Sequence, residues 1–265
     1  MRLAVDPHCH VHARHDVGAA LSAAERAAGA LGGRLVCCLA EMPGQDFFAR
    51  WRDAAEVEGR AVRVVDAGGL VALGSPEQGA VVYFAPGRQV ATTERLEMLA
   101  LATEGSLDAG LSLADSAQAA REAGGLACTP WGVGKWSGAR GEAVAKALRE
   151  DAQLVAGDNG GRPVGWRSGA LEQARKLGRT VLPGSDPLPM PAGAKRLGSL
   201  GVWLDLPDPE SDEFGAGAPA CGWLARLRVA LAGAGPTPET FGRHVGWAGL
   251  VVDQFKLRLS KGGAS

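Results

Sequence analysis

Leu3-Ala4-Val5-Asp6-Pro7-His8-Cys9-His10-Val11-His12 is the stretch on which the reading of this chain turns. Leu3-Ala4-Val5 reads as a buried strand, and histidines follow at its C-terminal end. Residues two apart on a strand face the same way. His8, His10 and His12 can therefore aim three imidazoles at one point, and imidazole is the commonest neutral metal ligand. Four of the five histidines lie between positions 8 and 15. A basic flexible patch or a purification remnant would look different, because such segments do not alternate with Val and Cys inside a strand pattern.

Outward from this strand, apolar runs alternate with helical patterns. Strand-like runs stand at 35–40, 62–65, 80–84, 96–102, 126–128, 154–156, 180–182 and 202–204. Val17, Ala20, Leu21, Ala24, Ala27, Ala28 and Leu31 recur at helical spacing, and Gly32-Gly33 ends that segment. Further helices are expected near 47–55, 112–123, 141–151, 169–177 and 222–232. A last one is expected to open at Thr237-Pro238-Glu239. Strand–helix repetition argues for a mostly parallel sheet, open or closed into a barrel. The segment 62–103 holds strands with no helix between them and reads as a local antiparallel excursion.

At 265 residues and 46% hydrophobic content the chain can bury one large core, and it is read as a single domain, 1–265. Within it, 205–219 is an exposed loop rich in Pro, Asp, Glu, Ser and Gly. Residues 220–265 form a C-terminal helical extension that could serve as a cap or as the contact of a homo-oligomer. The net charge of −1 lends no support to nucleic-acid or membrane-surface binding. No apolar run approaches the roughly 20 residues needed to span a bilayer. The start of the chain lacks the basic-then-apolar layout of a signal peptide. Five cysteines without a C-x-x-C arrangement read as reduced thiols, so the expected location is cytoplasmic.

In parallel α/β folds, functional groups collect at the C-terminal ends of strands. The first strand there offers Asp6, His8, His10, His12 and then Asp16; the second offers Glu41. Glu94 and Glu97 lie in the run that ends near Thr103. The strand at 126–128 leads into a glycine-rich turn with Trp131, Lys135, Trp136 and Arg140. It is not a phosphate loop of the G-x-x-x-x-G-K-[ST] kind, since Trp136 stands where Ser or Thr belongs. A glycine-rich turn carrying two cations still suits an anion; a packed tryptophan turn with surface cations is the alternative. Asp158, Asn159 and Arg162 follow the next strand, and Ser185-Asp186 the one after. Asp at strand ends is also a common turn cap.

Asp6-Pro7-His8-Cys9-His10 followed by Asp16 resembles the opening motif of the PHP (polymerase and histidinol phosphatase) superfamily of metal-dependent hydrolases. The broader amidohydrolase group has a similar histidine pair on its first strand. The segment 86–90, Ala127-Cys128-Thr129-Pro130 and Gly184-Ser185-Asp186 resemble later strand ends of the same superfamily. The resemblance runs over roughly the first two hundred residues and implies a distorted (β/α)7-type TIM-like barrel with C-terminal helices. It also implies phosphoester hydrolysis on up to three divalent metals. The departures are specific. Glu41 replaces the second-strand histidine, Gln89 the bridging glutamate, Thr129 the histidine of a His-Pro pair, and Leu188 the last histidine of a Ser-Asp-x-His motif.

What remains cannot build a trinuclear site. His8, His10 and Asp186 could hold one divalent metal, Zn, Mn or Fe. Asp16 or Glu41 would act as general base. Trp131, Lys135, Arg140, Asp158, Asn159 and Arg162 would bind a small anionic substrate bearing a phosphate or carboxylate. Asp6 would take a histidine N–H from behind. The other reading is a catalytically degenerate protein that binds or regulates, with Glu41, Asp16 and Glu97 hydrogen-bonding the histidines in place of an ion.

Overall fold

The computed structural model describes residues 1–66, 69–75, 79–211 and 222–262. In chain order the elements begin with β1 (Arg2–Cys9), α1 (Val17–Ala30), β2 (Arg34–Leu39), α2 (Phe47–Arg52), β3 (Glu56–Val57), β4 (Arg60–Asp66), β5 (Leu70–Ser75) and β6 (Ala80–Ala85). They continue with β7 (Gly87–Ala91), β8 (Glu97–Leu101), α3 (Leu113–Glu122), β9 (Leu126–Pro130), α4 (Gly138–Glu150), β10 (Val155–Asn159), α5 (Gly169–Lys176) and β11 (Val181–Gly184). A 3-10 turn (Pro191–Arg196), β12 (Leu200–Asp205), α6 (Trp223–Ala232), β13 (Thr240–Gly242) and α7 (Trp247–Gly262) complete it.

These strands form two sheets, and neither closes on itself. The first has eight strands in the order β13-β12-β1-β2-β6-β5-β4-β3, the second five in the order β11-β10-β9-β8-β7. This overturns the distorted (β/α)7-type TIM-like barrel that the resemblance implied and the alternation allowed. The reason lies in the middle of the chain, where β3 to β8 follow one another without a helix. Short connections make neighbouring strands antiparallel, whereas a parallel ring needs a long crossover after every strand. β4-β5-β6 and β7-β8 accordingly pair antiparallel, as the segment 62–103 suggested. Parallel ladders join β1-β2-β6 and β9-β10-β11, and a single parallel bridge from Glu41 to Arg88 ties the segment after β2 to β7.

β1 is buried on both faces. Leu3 and Val5 face a core that also holds Val36, Leu99, Cys128, Val155, Leu182 and Val202, drawn from both sheets. Trp223, Leu224, Leu227 and Leu231 of α6 plug the same core. Ala4 faces a second core under α1, where Ala20, Leu21, Ala24 and Ala28 pack on Leu35, Cys37 and Leu39. The alanine-rich stripe lets the helix lie close to the sheet, and Asp16 caps it by accepting the Ala19 N–H at 2.9 Å. A third core joins the other face of the five-stranded sheet to α3, α4 and α5.

The C-terminal part differs from expectation at one point. Thr237-Pro238-Glu239 opens no helix; it leads into β13, whose Thr240 pairs with Val202 and whose Phe241 is buried. The helix begins later, at Trp247, so 220–265 contains a strand as well as α6 and α7. Of the loop expected at 205–219, residues 212–219 lie outside the described residues.

Candidate metal centre and its cavity

The histidines reach their common face through an irregularity. The β1–β2 register shifts between Asp6 and Cys9. Val5 faces the core between the sheets, while Cys9 and Val11 face the core under α1. Strict alternation from Val5 would put His8 on the α1 side. The extra residue rephases the strand, as a β-bulge does, and turns His8 and His10 inward.

β11 meets β1 at this point. A Cβ on Gly184 would stand 2.6 Å from the His8 Cβ, so only glycine allows the approach. The Asp186 N–H donates to the His8 carbonyl at 2.9 Å. Asp186 has φ +41°, a left-handed conformation that Asp tolerates better than most side chains. Its carboxylate oxygen lies 3.4 Å from His10 Nε2 and 3.7 Å from His8 Nε2, and the two Nε2 atoms are 2.9 Å apart. Donors about 2.1 Å from an ion at tetrahedral angles stand about 3.4 Å from one another. The two distances to Asp186 are close to that spacing, whereas the imidazole pair at 2.9 Å is tighter, so these three donors could hold one divalent ion once the two rings part by about 0.5 Å.

Burial sets the protonation of this group. It pushes His8 down to about 4 and His10 to about 3, with the neighbouring imidazole adding to the second shift. Both rings are neutral near pH 7, the state in which they ligate metal. Burial raises Asp186, opposed by His10, Arg196 and Lys135. Asp6 is fully buried and pushed up to about 7. It reaches no histidine ring. Instead it accepts from the Ser185 hydroxyl and from the backbone N–H groups of Ser185, Gly198 and His8, locking β1 to the end of β11.

His12 and His15 behave differently. His12 Nε2 donates to the Pro187 carbonyl at 2.9 Å, and His15 Nε2 to that of Leu188 at 2.8 Å. His15 Nδ1 also accepts the His12 N–H, which satisfies that ring. Both histidines thus hold the loop after β11 in place.

His10 and Asp186 open onto a cavity of about 420 Å³. Gln89 and Glu97 line it from the five-stranded sheet, Lys135 from the turn after β9, and Asn159 from the end of β10. Leu250, Asp253 and Leu257 roof it from α7, the part of the C-terminal extension that acts as a cap. Lys135 is paired with Glu97 and Asp253 with Arg196.

The remaining residues read from the sequence lie elsewhere. Asp16 caps α1. Glu41 is buried, accepts the Phe48 N–H at 2.9 Å at the start of α2, and pairs with Arg88 at 2.7 Å. Burial is the main influence that raises its pKa. Trp131 packs edge-on against Trp166, which stacks on Trp247. Arg140 donates to the Gly134 carbonyl at the surface. Arg162 is held by Asp158 in a two-pronged pair at 2.6 and 2.7 Å, beside a separate small pocket with Arg175 and His244. Neighbours on β10 point to opposite faces, so Asn159 reaches the cavity and Asp158 does not.

No protein-family model and no curated relative matches this sequence. Among solved structures, the fold is similar to the crystal structure of PsfC from Pseudomonas syringae PB-5123, with a TM-score of 0.52 and 16% identity over 98% of each chain. At that identity the likeness concerns the fold alone. Among the described residues no helix is long and apolar enough to cross a membrane.

Proposed function

We propose that this protein is a hydrolase dependent on one divalent metal, acting on a small anionic substrate. The observation that carries the reading is the grouping of His8 Nε2, His10 Nε2 and Asp186 Oδ1, of which His10 and Asp186 line the cavity. When bound, Zn, Mn or Fe would supply a Lewis acid and a water of lowered pKa. The chain's own groups do the rest. The three ligands orient the reacting end of the substrate. Lys135 is the cavity's cation for a phosphate or carboxylate. Glu97, released as Lys135 turns to the anion, is the carboxylate positioned to take a proton, in place of Asp16 and Glu41. The resemblance of 6–10 to the PHP superfamily supports the hydrolase class. The buried, unbridged thiols of Cys9, Cys37, Cys38 and Cys128 support a cytoplasmic location.

Metal analysis of protein purified without a histidine tag tests this. About one equivalent of Zn, Mn or Fe is expected, lost in His8→Ala and His10→Ala and retained in His244→Ala. Calorimetry showing wild-type protein indifferent to all three metals near neutral pH would reject it. A second reading would then stand, a binding protein without catalysis, because two imidazoles 2.9 Å apart can hydrogen-bond each other when one carries the proton.

A further inference from the structure

On the face of β10 opposite the metal position, a second pocket of about 260 Å³ lies between the last turn of α5, the end of β11 and the segment leading into β13. Its charged groups gather round Asp158. Arg162 satisfies that carboxylate with two hydrogen bonds, at 2.6 and 2.7 Å. Arg175 Nη2 and His244 Nε2 each stand 3.6 Å from Asp158 Oδ2, beyond hydrogen-bond reach. Two guanidinium groups thus face a single carboxylate, and the lining keeps one positive charge in excess.

The two outer groups have hydrogen-bonding capacity that the protein leaves unused. Among the described residues the Arg175 side chain makes no hydrogen bond, so the five N–H donors of its guanidinium remain available. His244 Nδ1 donates to the Asn159 carbonyl at 3.2 Å. Burial, the largest influence on this ring, lowers its pKa, so near pH 7 the ring is neutral and Nε2 is an acceptor with no donor. Both groups are within reach of a ligand. Their side chains are 37% and 21% exposed, and neither contributes to the buried atoms that lack a partner. Thr237 and Thr240 add exposed hydroxyls to the lining.

This combination selects a ligand. Unused guanidinium donors suit an oxyanion, because charge-assisted bonds of this kind are the strong ones. A neutral imidazole acceptor beside a carboxylate suits an anion that still carries a proton. Phosphate keeps at least one O–H near pH 7, whereas sulfate keeps none. We propose that this pocket binds inorganic phosphate in its protonated forms, with Arg175 donating to the phosphate oxygens and His244 Nε2 accepting the O–H. The pocket shares no lining residue with the cavity at the metal position, so phosphate binding here holds with or without the hydrolase reading.

Calorimetric titration of the full chain, treated with chelator, with inorganic phosphate and with sulfate at pH 7 tests the proposal. Phosphate is expected to bind, and sulfate on the order of tenfold more weakly or worse. Arg175→Gln is expected to weaken phosphate on the order of tenfold or more. Lys135→Gln, which alters the other cavity, is expected to leave phosphate affinity unchanged. His244→Met removes the acceptor and is expected to bring phosphate down to the affinity of sulfate; it carries the test if Arg175→Gln fails to fold by circular dichroism. Four results would overturn the proposal: no phosphate binding, sulfate binding as tightly as phosphate, phosphate affinity indifferent to the folded Arg175 and His244 variants, or loss of phosphate binding in Lys135→Gln, which would place the anion in the metal cavity.

Discussion

Gly184→Ala is the sharpest test of how the two sheets meet. The added methyl carbon would stand 2.6 Å from the His8 Cβ, 2.8 Å from the His8 nitrogen and 3.0 Å from its Cα. Ordinary carbon contacts lie at about 3.5–4.0 Å. Relief therefore needs β1 and β11 to separate by about 1 Å, and two of the three obstructing atoms are backbone, which cannot rotate away. Overpacking of this kind costs about 1–3 kcal/mol, and the backbone setting argues for the upper end. For a chain of this length about 3 kcal/mol lowers Tm by roughly 6–12 °C. The same displacement stretches the bond from the Asp186 N–H to the His8 carbonyl and moves the carboxylate away from the histidine pair. Metal uptake should therefore fall along with stability. Gly169→Ala is the control, because an added Cβ there meets nothing within 4 Å and the residue lies at the start of α5. Scanning calorimetry and metal titration of both variants measure the difference. If Gly184→Ala matched Gly169→Ala in Tm and in metal affinity, the close approach of β11 to β1 would not be what builds the site.

Other expectations follow from the same contacts. Stability should fall as pH drops from about 6.5 to 4. His8, His10 and His12 stay neutral in the folded chain, with pKa values near 4, 3 and 4, but bind protons when unfolded. Asp6, raised to about 7, opposes this because its folded form holds the proton the unfolded chain releases. His15 and His244, also lowered, add to the fall, while Glu41 and Asp186, both raised, oppose it, so the net slope near pH 5–6 is on the order of 1–3 kcal/mol per pH unit, at 1.36 per proton. Urea midpoints that do not change between pH 5 and 6.5 would refute neutral, buried histidines. Arg162→Met should destabilise the fold by about 3 kcal/mol, because it leaves the Asp158 carboxylate buried with weaker partners, yet leave metal uptake unchanged; a change in metal stoichiometry would place Arg162 in the site. Asp16→Ala should cost about 1 kcal/mol through the lost helix cap without altering metal binding. Asp186→Asn keeps a side chain that tolerates the left-handed backbone and should weaken the metal at constant Tm, and equal metal affinity would remove Asp186 from the ligand set.

Much of the local structure was legible in the residues. The alanine stripe of α1, the Asp16 cap, the apolar runs of β1, β2, β9 and β10, and the hairpins between 62 and 103 all follow from short-range periodicity. β7 was missed because Gly87-Arg88-Gln89-Val90-Ala91 has too little apolar content to read as a strand; its partner β8 supplies the hydrophobic half. The closed barrel was the wrong extrapolation, since periodicity reports that strands exist and says nothing of which strand each one pairs with. The candidate residues divide in the same way. Arg140 and Arg162 looked available for an anion because a sequence lists charges without their partners, and the fold gives both of them hydrogen-bonded positions outside the cavity.

By itself, then, the sequence determined that histidines cluster at the end of a buried first strand, that Asp186 ends a later one, and that the chain alternates strand and helix over most of its length. These are matters of spacing along the backbone, and spacing is local. Only the tertiary structure decided that a register shift between Asp6 and Cys9 turns His8 and His10 toward the second sheet, and that Gly184 brings Asp186 to them. It also decided that Leu250, Asp253 and Leu257 of α7 close over the cavity onto which His10 and Asp186 open. Each of these depends on contacts between residues far apart in the chain, such as 8 with 184, where packing and hydrogen bonding select one arrangement among many that the same local pattern allows.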